Sequence, residues 1–358
     1  MGLLASYLNL NDRLSHEITP NKQRILGQYP NDTNVTKGRK MEVTALGELL
    51  IDFTQNDVSR QGNPMFEANP GGAPCNVLAM LSKLGHETAF IGKVGNDFFG
   101  RQLKDTIEEV GIDSSYLVMD EDVHTTLAMV SNTPDGDRDF SFYRNPGADM
   151  MLSEDEISKE AIACSKVFHF GTLSMTHEGV RKATKKALRI AKDEGKLITF
   201  DPNLREPLWD DLETAREQVL YGLGFCDILK ISDNEIVWLT GKEDYTEGVR
   251  WIRERFDIPL ILVSMGKEGS RAYYKDMMIK REAFLQDDTV DTTGAGDTFF
   301  GCIIHFVLEH GLNEMTQGML SEMLTFANAA ASIITTRRGA LRVMPSLDEI
   351  TELISEKR

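Results

Sequence analysis

The sequence predicts an α/β fold: a central, mostly parallel sheet with helices on both faces, plus a small β-sheet lid. Three observations predict it. From residue 41 onward, short apolar runs alternate with segments of helical periodicity that end at glycines, the order of strands joined by crossover helices. Two β-patterned segments flank Pro134-Asp135-Gly136-Asp137 and interrupt that alternation. The 358 residues are 41% hydrophobic and 27% charged, which suits a large packed core and excludes wholesale disorder.

Residues 1–40 stand apart. They carry six basic and three acidic side chains, and 9–40 are rich in Asn, Asp, Thr, Lys and Gly. They read as a flexible extension, with a helix at 3–18, ahead of one domain over 41–358. Met1 to Ser6 formally fits a myristoylation start and the low acidity a transit peptide, but both patterns are short and common by chance. Met41 to Phe53 is a near-continuous apolar run, read as a buried strand broken at Gly47-Glu48. Ala73 to Leu84 then has helical spacing and ends at Gly85. Strand 89–94, helix 97–110, strand 166–170, helix 177–194, strand 197–201, helix 211–220 and strand 228–231 follow. Helices 233–239 and 246–255, strand 260–264 and closing helices 295–309 and 315–335 complete the order. Residues 54–70 are too polar for core, and with 120–146 they form the expected lid.

The formal charge is −17, so the surface repels phosphate backbones and anionic lipid, and neither nucleic acid nor membrane is an expected partner. The four cysteines are widely spaced with no CxxC pair, which fits a reducing compartment, and no run of 18 apolar residues suggests a span. The expected location is the cytoplasm.

The sharpest chemical signal is Asp291-Thr292-Thr293-Gly294-Ala295-Gly296-Asp297 ahead of an apolar helix. Tiny residues leave backbone N–H groups open, and the helix start adds about half a positive charge, so the turn is an anion cradle. Asp297 beside it makes sense if it faces a hydroxyl whose proton it accepts during phosphoryl transfer. The plain alternative is a glycine turn with an acidic helix-end contact. Gly95 to Gln102 has the glycine spacing of a phosphate loop but lacks its Lys and Ser/Thr. No GxGxxG follows the first strand, and HExxH and GxSxG are absent. His169 and His177 read as polar core or surface residues.

Asp291 to Gly301 resembles the second signature of the PfkB, or ribokinase-like, sugar kinases. Gly71-Gly72-Ala73-Pro74-Cys75-Asn76, with Gly85 and Gly95, resembles the first. The similarity spans roughly 42–350. Gly47 to Asp52, Phe142 to Pro146, Asp201 to Arg205 and Leu208-Trp209 are most similar to bacterial and plant fructokinases. Leu78 and Cys302 depart from the family's small residues, which bears on packing rather than chemistry.

The resemblance implies Asp297 as catalytic base and Gly294, Ala295 and Gly296 as anion hole. It implies Asp52, Gly71, Gly72 and Asn76 as sugar contacts, joined by Tyr143 and Arg144 from the lid. For ATP it implies Asn203, Arg205, Ser232, Ser264, Gly266, Gly269 and Asn328, the last at the adenine edge. Glu235 would order Mg2+ through water, and Asp291 and Thr293 would hold a monovalent cation such as K+. The implied activity is transfer of the γ-phosphoryl of Mg-ATP to the 6-hydroxyl of fructose, with a homodimer formed through the lid. Alternatives are 2-keto-3-deoxygluconate kinase, ribokinase, aminoimidazole-riboside kinase or a non-catalytic fructokinase-like binding protein.

Overall fold

The computed structural model describes residues 41–132 and 138–357. The predicted extension at 1–40, its helix at 3–18 and the turn at 134–137 lie outside the described residues. The apolar run at 41–53 is two strands rather than one. Strand β1 (Val43–Leu46) stops at Gly47, and β2 (Leu50–Val58) enters a different sheet. A Cβ on Gly47 would sit 2.4 Å from the Pro74 ring, so glycine lets the chain turn against that proline. This correction moves Asp52 from the end of a core strand to the root of the lid.

Strand β3 (Pro64–Gly71) pairs antiparallel with β2 and leads into α1 (Ala73–Lys83), where Pro74 sits in the first turn. Strand β4 (Thr88–Gly95) is buried throughout and pairs parallel with β1. Helix α2 (Phe98–Glu109) explains the false phosphate loop. Its cap Asp97 already accepts the N–H groups of Gly100 and Thr125, both at 2.8 Å, and a Cβ on Gly100 would lie 1.7 Å from the Gly95 carbonyl oxygen. The glycine spacing there serves packing. Short strands β5 (Ile112–Asp113) and β6 (Leu117–Asp120), which sequence patterning did not predict, pair with β4. Strands β7 (Leu127–Asn132) and β8 (Arg138–Tyr143) form the expected antiparallel pair, and β7 joins β2 in parallel. The lid sheet is therefore β3-β2-β7-β8.

A short helix α3 (Lys159–Ala163) was not predicted, and the remainder alternates as predicted: β9 (Val167–Gly171), α4 (Glu178–Asp193), β10 (Leu197–Asp201), α5 (Leu212–Leu223), β11 (Ile228–Ser232), α6 (Asp233–Thr240), α7 (Tyr245–Arg253) and β12 (Leu260–Ser264). An unpredicted antiparallel hairpin, β13 (Ser270–Tyr274) and β14 (Met277–Arg281), closes the sheet edge. Helices α8 (Ala295–His310) and α9 (Gln317–Ile334) match expectation. A further α10 (Leu347–Glu356), started by a Ser346/Glu349 capping box, does not. The main sheet runs β14-β13-β12-β11-β10-β9-β1-β4-β5, parallel from β12 to β5.

One core layer packs α1, α8 and α9 on the sheet through Met80, Phe90, Phe300, Ile303 and Leu324, and it swallows Leu78 and Cys302 whole. The opposite layer centres on Phe168, Phe170 and Phe200, with Phe170 and Phe200 stacked at 4.4 Å. Each such buried aromatic contributes about 1.5–3 kcal/mol. His169 is polar core, as expected: its Nδ1 meets Thr199 Oγ1 at 3.0 Å, and burial pushes its pKa down to about 3, so it stays neutral. His177 caps α4, its ring accepting the Gly179 N–H. No helix among the described residues is long and apolar enough to cross a membrane.

Candidate active site

Helix α8 begins at Gly294, whose φ of 76° is in the left-handed region that glycine favours. A Cβ at Gly294 would meet Ala340 at 2.9 Å, so space as well as dihedral demands glycine. The Ala295 N–H turns back to the Thr292 carbonyl at 3.3 Å, and the first helical bond runs from Thr298 N–H to the Gly294 oxygen at 2.8 Å. The N–H groups of Gly296 and Asp297 between them are the helix-start donors available to an anion.

Asp297 is 8% exposed and lines a cleft of about 290 Å³, a size suited to a small ligand. The Asn76 Nδ2 group donates to its Oδ2 at 2.8 Å, tying the start of α8 to the start of α1. Burial raises the Asp297 pKa, and the Asn76 bond and the charges of Lys230 and Arg205 offset part of that rise. Asn76 Oδ1 is buried and, among the described residues, meets no donor. A buried acceptor left unpaired costs about 1–3 kcal/mol, so a ligand hydroxyl at this point would be repaid directly.

The lid supplies the other wall. Asp52 on β2 faces Gly71, where a Cβ would lie 2.6 Å from its Oδ2, and Gly72 adopts φ 138° against the Glu48 carbonyl. Both glycines line the same cleft as Asp52 and Asn76. Two lid expectations need correction. Strand alternation turns Phe142 toward the cleft and leaves Tyr143 65% exposed on the other face. Arg144 is 7% exposed and is no substrate arm: its guanidinium is spent on Asp149 at 2.6 and 2.8 Å, Thr176 Oγ1 at 2.9 Å and the Leu173 carbonyl at 3.0 Å. It braces Leu173, which lines the cleft.

A second cleft of about 280 Å³ adjoins the first, and the two share Asn203, Arg205 and Lys230. Asn203 takes a left-handed φ of 43°, a conformation asparagine tolerates, and its N–H reaches Asp201 Oδ1 at 3.1 Å. Arg205 is exposed at the rim. Ser232 caps α6, and its N–H and hydroxyl both donate to Glu235 Oε2 at 2.8 Å. Glu235 Oε1 accepts the Leu204 N–H at 2.7 Å, so this carboxylate is fixed at the cleft wall.

Ser264 pairs with Ser232 across β11 and β12, and Gly266 and Gly269 frame the turn that follows. Gly269 is dictated by packing, since a Cβ would come within 2.1 Å of the Arg281 carbonyl oxygen. Asn328 is corrected: its amide donates to the Arg281 and Glu282 carbonyls and its oxygen accepts from Ser270, so it clamps β14 to α9 with no hydrogen left for a base edge. Asp291 Oδ1 accepts the Thr293 N–H at 2.8 Å, and the Asp291 N–H reaches the Thr335 carbonyl, which brings 291–293 beside 335–339.

Three residues of this region were given no role from the sequence. Lys230 is 6% exposed, donates to Asp201 Oδ2 at 2.8 Å and lines both clefts. A Cβ on Gly296 would approach its Nζ to 3.1 Å, which sets the ammonium beside the cradle. Burial works against its charge, but Asp201, Glu235 and Asp297 outweigh burial and hold its pKa above the ordinary value. The signal was a lysine inside an otherwise apolar strand. Asp201 is its partner.

Glu48 is the third. Its Oε1 accepts the Ala73 N–H at 2.8 Å, and burial pushes its pKa up to about 7. The unfolded chain ionises this group near 4.5 and the folded chain near 7, so the native state binds more protons in that window. Stability should therefore fall by about 3 kcal/mol as pH rises through the window, and a Glu48→Gln variant should lack that fall. Urea unfolding of both proteins at pH 5 and 7.5 checks this; an unchanged stability gap at the two pH values counts against it.

Residues 40–347 match the pattern of the pfkB family carbohydrate kinases. The chain is 40% identical over 321 residues to fructokinase-1 of Zea mays, covering 89% of this chain and 99% of that one. The ATP-bound fructokinase structure from Xylella fastidiosa superposes with a TM-score of 0.82 at 28% identity, covering 89% of this chain and 99% of that chain. A Vibrio cholerae fructokinase solved with fructose, ADP and potassium ion gives a TM-score of 0.78 at 26% identity, covering 89% of this chain and all of that one. The ribokinase-like fold, the glycine-started α8 with its buried aspartate and these likenesses agree, and the chain belongs to the PfkB family of carbohydrate kinases, phosphotransferases that act on an alcohol.

Proposed function

We propose that this protein is a fructokinase that transfers the γ-phosphoryl group of Mg-ATP to the 6-hydroxyl of fructose. The observation that carries the reading is the pair formed by Asp297 and the unpartnered Asn76 Oδ1, two buried acceptors at the floor of a cleft of monosaccharide size. Asp52, Asn69 and the Gly71-Gly72 backbone add polar groups that suit the remaining hydroxyls. The similarity to plant and bacterial fructokinases supports fructose as the acceptor.

In this reading the second cleft takes the nucleotide phosphates, and transfer occurs at the boundary that Asn203, Arg205 and Lys230 share. Asp297 receives the hydroxyl proton as the new P–O bond forms, because a carboxylate is too weak a base to deprotonate a free alcohol first. The Gly296 and Asp297 N–H groups, Lys230 and Arg205 stabilise charge on the transferring group. Glu235, its carboxylate oriented by backbone donors, suits a hard cation, and Mg2+ bound with ATP would neutralise phosphate charge there. Asp291 and Thr293 carry the K+ part of the proposal, and the potassium-bound Vibrio cholerae relative supports it. The lid face that exposes Val58, Phe66 and Tyr143 supports a homodimer formed through the lid. The free cysteines support a reducing cytoplasm as its location.

A coupled ADP-release assay across fructose, ribose, 2-keto-3-deoxygluconate, aminoimidazole riboside and glucose tests the assignment. Fructose should give the largest kcat/KM, by at least about tenfold over the others. A larger value for another sugar overturns the substrate, and no release above the ATPase background with any of them overturns the kinase.

A further inference from the structure

Away from the reaction cleft, α1 and α8 are joined at their far ends by a cluster of ligand atoms. His86 follows α1, and its Nε2 lies 2.8 Å from Nδ1 of His305 on α8. Its other ring nitrogen lies 2.8 Å from Glu42 Oε2, and Lys166 holds the second oxygen of that carboxylate at 2.8 Å. Glu309 stands one turn beyond His305 on the same helix face. Ligand atoms of His86, His305 and Glu309 all fall within 4.8 Å of one another, and among the described residues no other group of three His, Cys, Asp or Glu side chains does so.

The proton placement is fixed by the acid. A lysine-bound carboxylate accepts only, so His86 carries its hydrogen on Nδ1 and turns the Nε2 lone pair toward His305. Without a metal, His305 Nδ1–H donates to that lone pair. With its proton on Nε2 instead, His305 offers a second lone pair to the same point. An imidazole whose far N–H is held by a carboxylate is the arrangement that orients metal-ligating histidines. We propose that His86, His305 and Glu309 bind a divalent transition metal of the zinc class, with Glu42 and Lys166 as the outer support. Two imidazoles and one carboxylate favour Zn2+ over Mg2+ or Ca2+, which prefer all-oxygen sets. The 2.8 Å nitrogen separation needs to open by about half an ångström for ligands at about 2.0–2.1 Å from a tetrahedral ion. Glu309 is exposed and can close on the ion from solvent.

The position has a consequence for the fold. Helices α1 and α8 carry Asn76 and Asp297 at their other ends and touch where Gly301 meets Met80. A metal at the far end therefore staples the two helices that present the reacting groups, without contact with sugar or nucleotide.

The test titrates the chelator-treated full-length chain with Zn2+ alone by calorimetry, beside His305→Asn and Glu309→Gln variants. One Zn2+ per chain should bind at this site, with affinity at least about tenfold weaker in each variant. Saturating Zn2+ should raise the wild-type Tm by at least about 2 °C and the His305→Asn Tm by clearly less at the same Zn2+ concentration. Co2+ in place of Zn2+ should give visible absorption bands that both variants lose. The Glu309 side chain is exposed, so its variant folds whatever happens at His305. Equal Zn2+ affinity in all three proteins, or no Co2+ bands in the wild type, overturns the site.

Discussion

Asp297→Asn should lower kcat by about 10²- to 10⁴-fold, the range expected when a general base is removed. The KM for ATP should hold, because in the proposed arrangement the substitution removes an interaction made with the transferring hydroxyl proton and leaves the second cleft, which Asp297 does not line, intact. Asparagine retains an oxygen for the Asn76 Nδ2 donor, so the 2.8 Å tie between α1 and α8 survives. Stability should also hold or rise. Burial raises the Asp297 pKa in the folded state, which means the fold disfavours its charge, and a neutral side chain of the same shape escapes that penalty at neutral pH. The sign runs opposite to a salt-bridged carboxylate: the destabilisation grows as pH rises past the unfolded pKa. A variant that is inactive yet melts no lower than the wild type isolates chemistry from folding. Turnover close to wild type on a pure, folded sample would remove Asp297 as the base.

What the sequence made legible follows from the range of the interactions involved. The start of α8 could be read because its signal is local: three tiny residues, an aspartate and an apolar helix within eleven positions. The buried parallel strands were equally plain, since both faces of each are covered and their residues run apolar. The break between β1 and β2 was not, because Gly47-Glu48 looks like a small interruption until the chain is seen to change sheets. The hairpin of β13 and β14 escaped because β14 lies at the edge and exposes the apolar Met278, so residue type there does not track burial. Arg144 and Asn328 were misplaced for a different reason. Their partners are remote, at Asp149, Thr176 and Leu173 for one and at Ser270, Arg281 and Glu282 for the other, and only folding reveals that their hydrogens are already spent.

Lys230→Met should cost both stability and turnover, and the two losses should be separable. Removing the ammonium leaves Asp201 buried without its ion partner. Burial already raises its pKa to about 6, so the stranded carboxyl either stays charged, at a cost of about 3–5 kcal/mol, or takes up a proton at a smaller cost. A second change, Asp201→Asn, should return most of that loss by taking away the stranded carboxylate. Turnover should not return with it. In the proposed arrangement Lys230 stands beside Gly296 and between the two clefts, where its charge meets the phosphoryl group in transit. Losing one such fixed donor lowers kcat by about 10²- to 10³-fold. Thermal melts and steady-state kinetics on the single and double variants make the comparison. If the double variant recovers kcat along with Tm, Lys230 serves only to neutralise Asp201, and the charge that steadies the transferring group must come from Arg205 and the helix start alone.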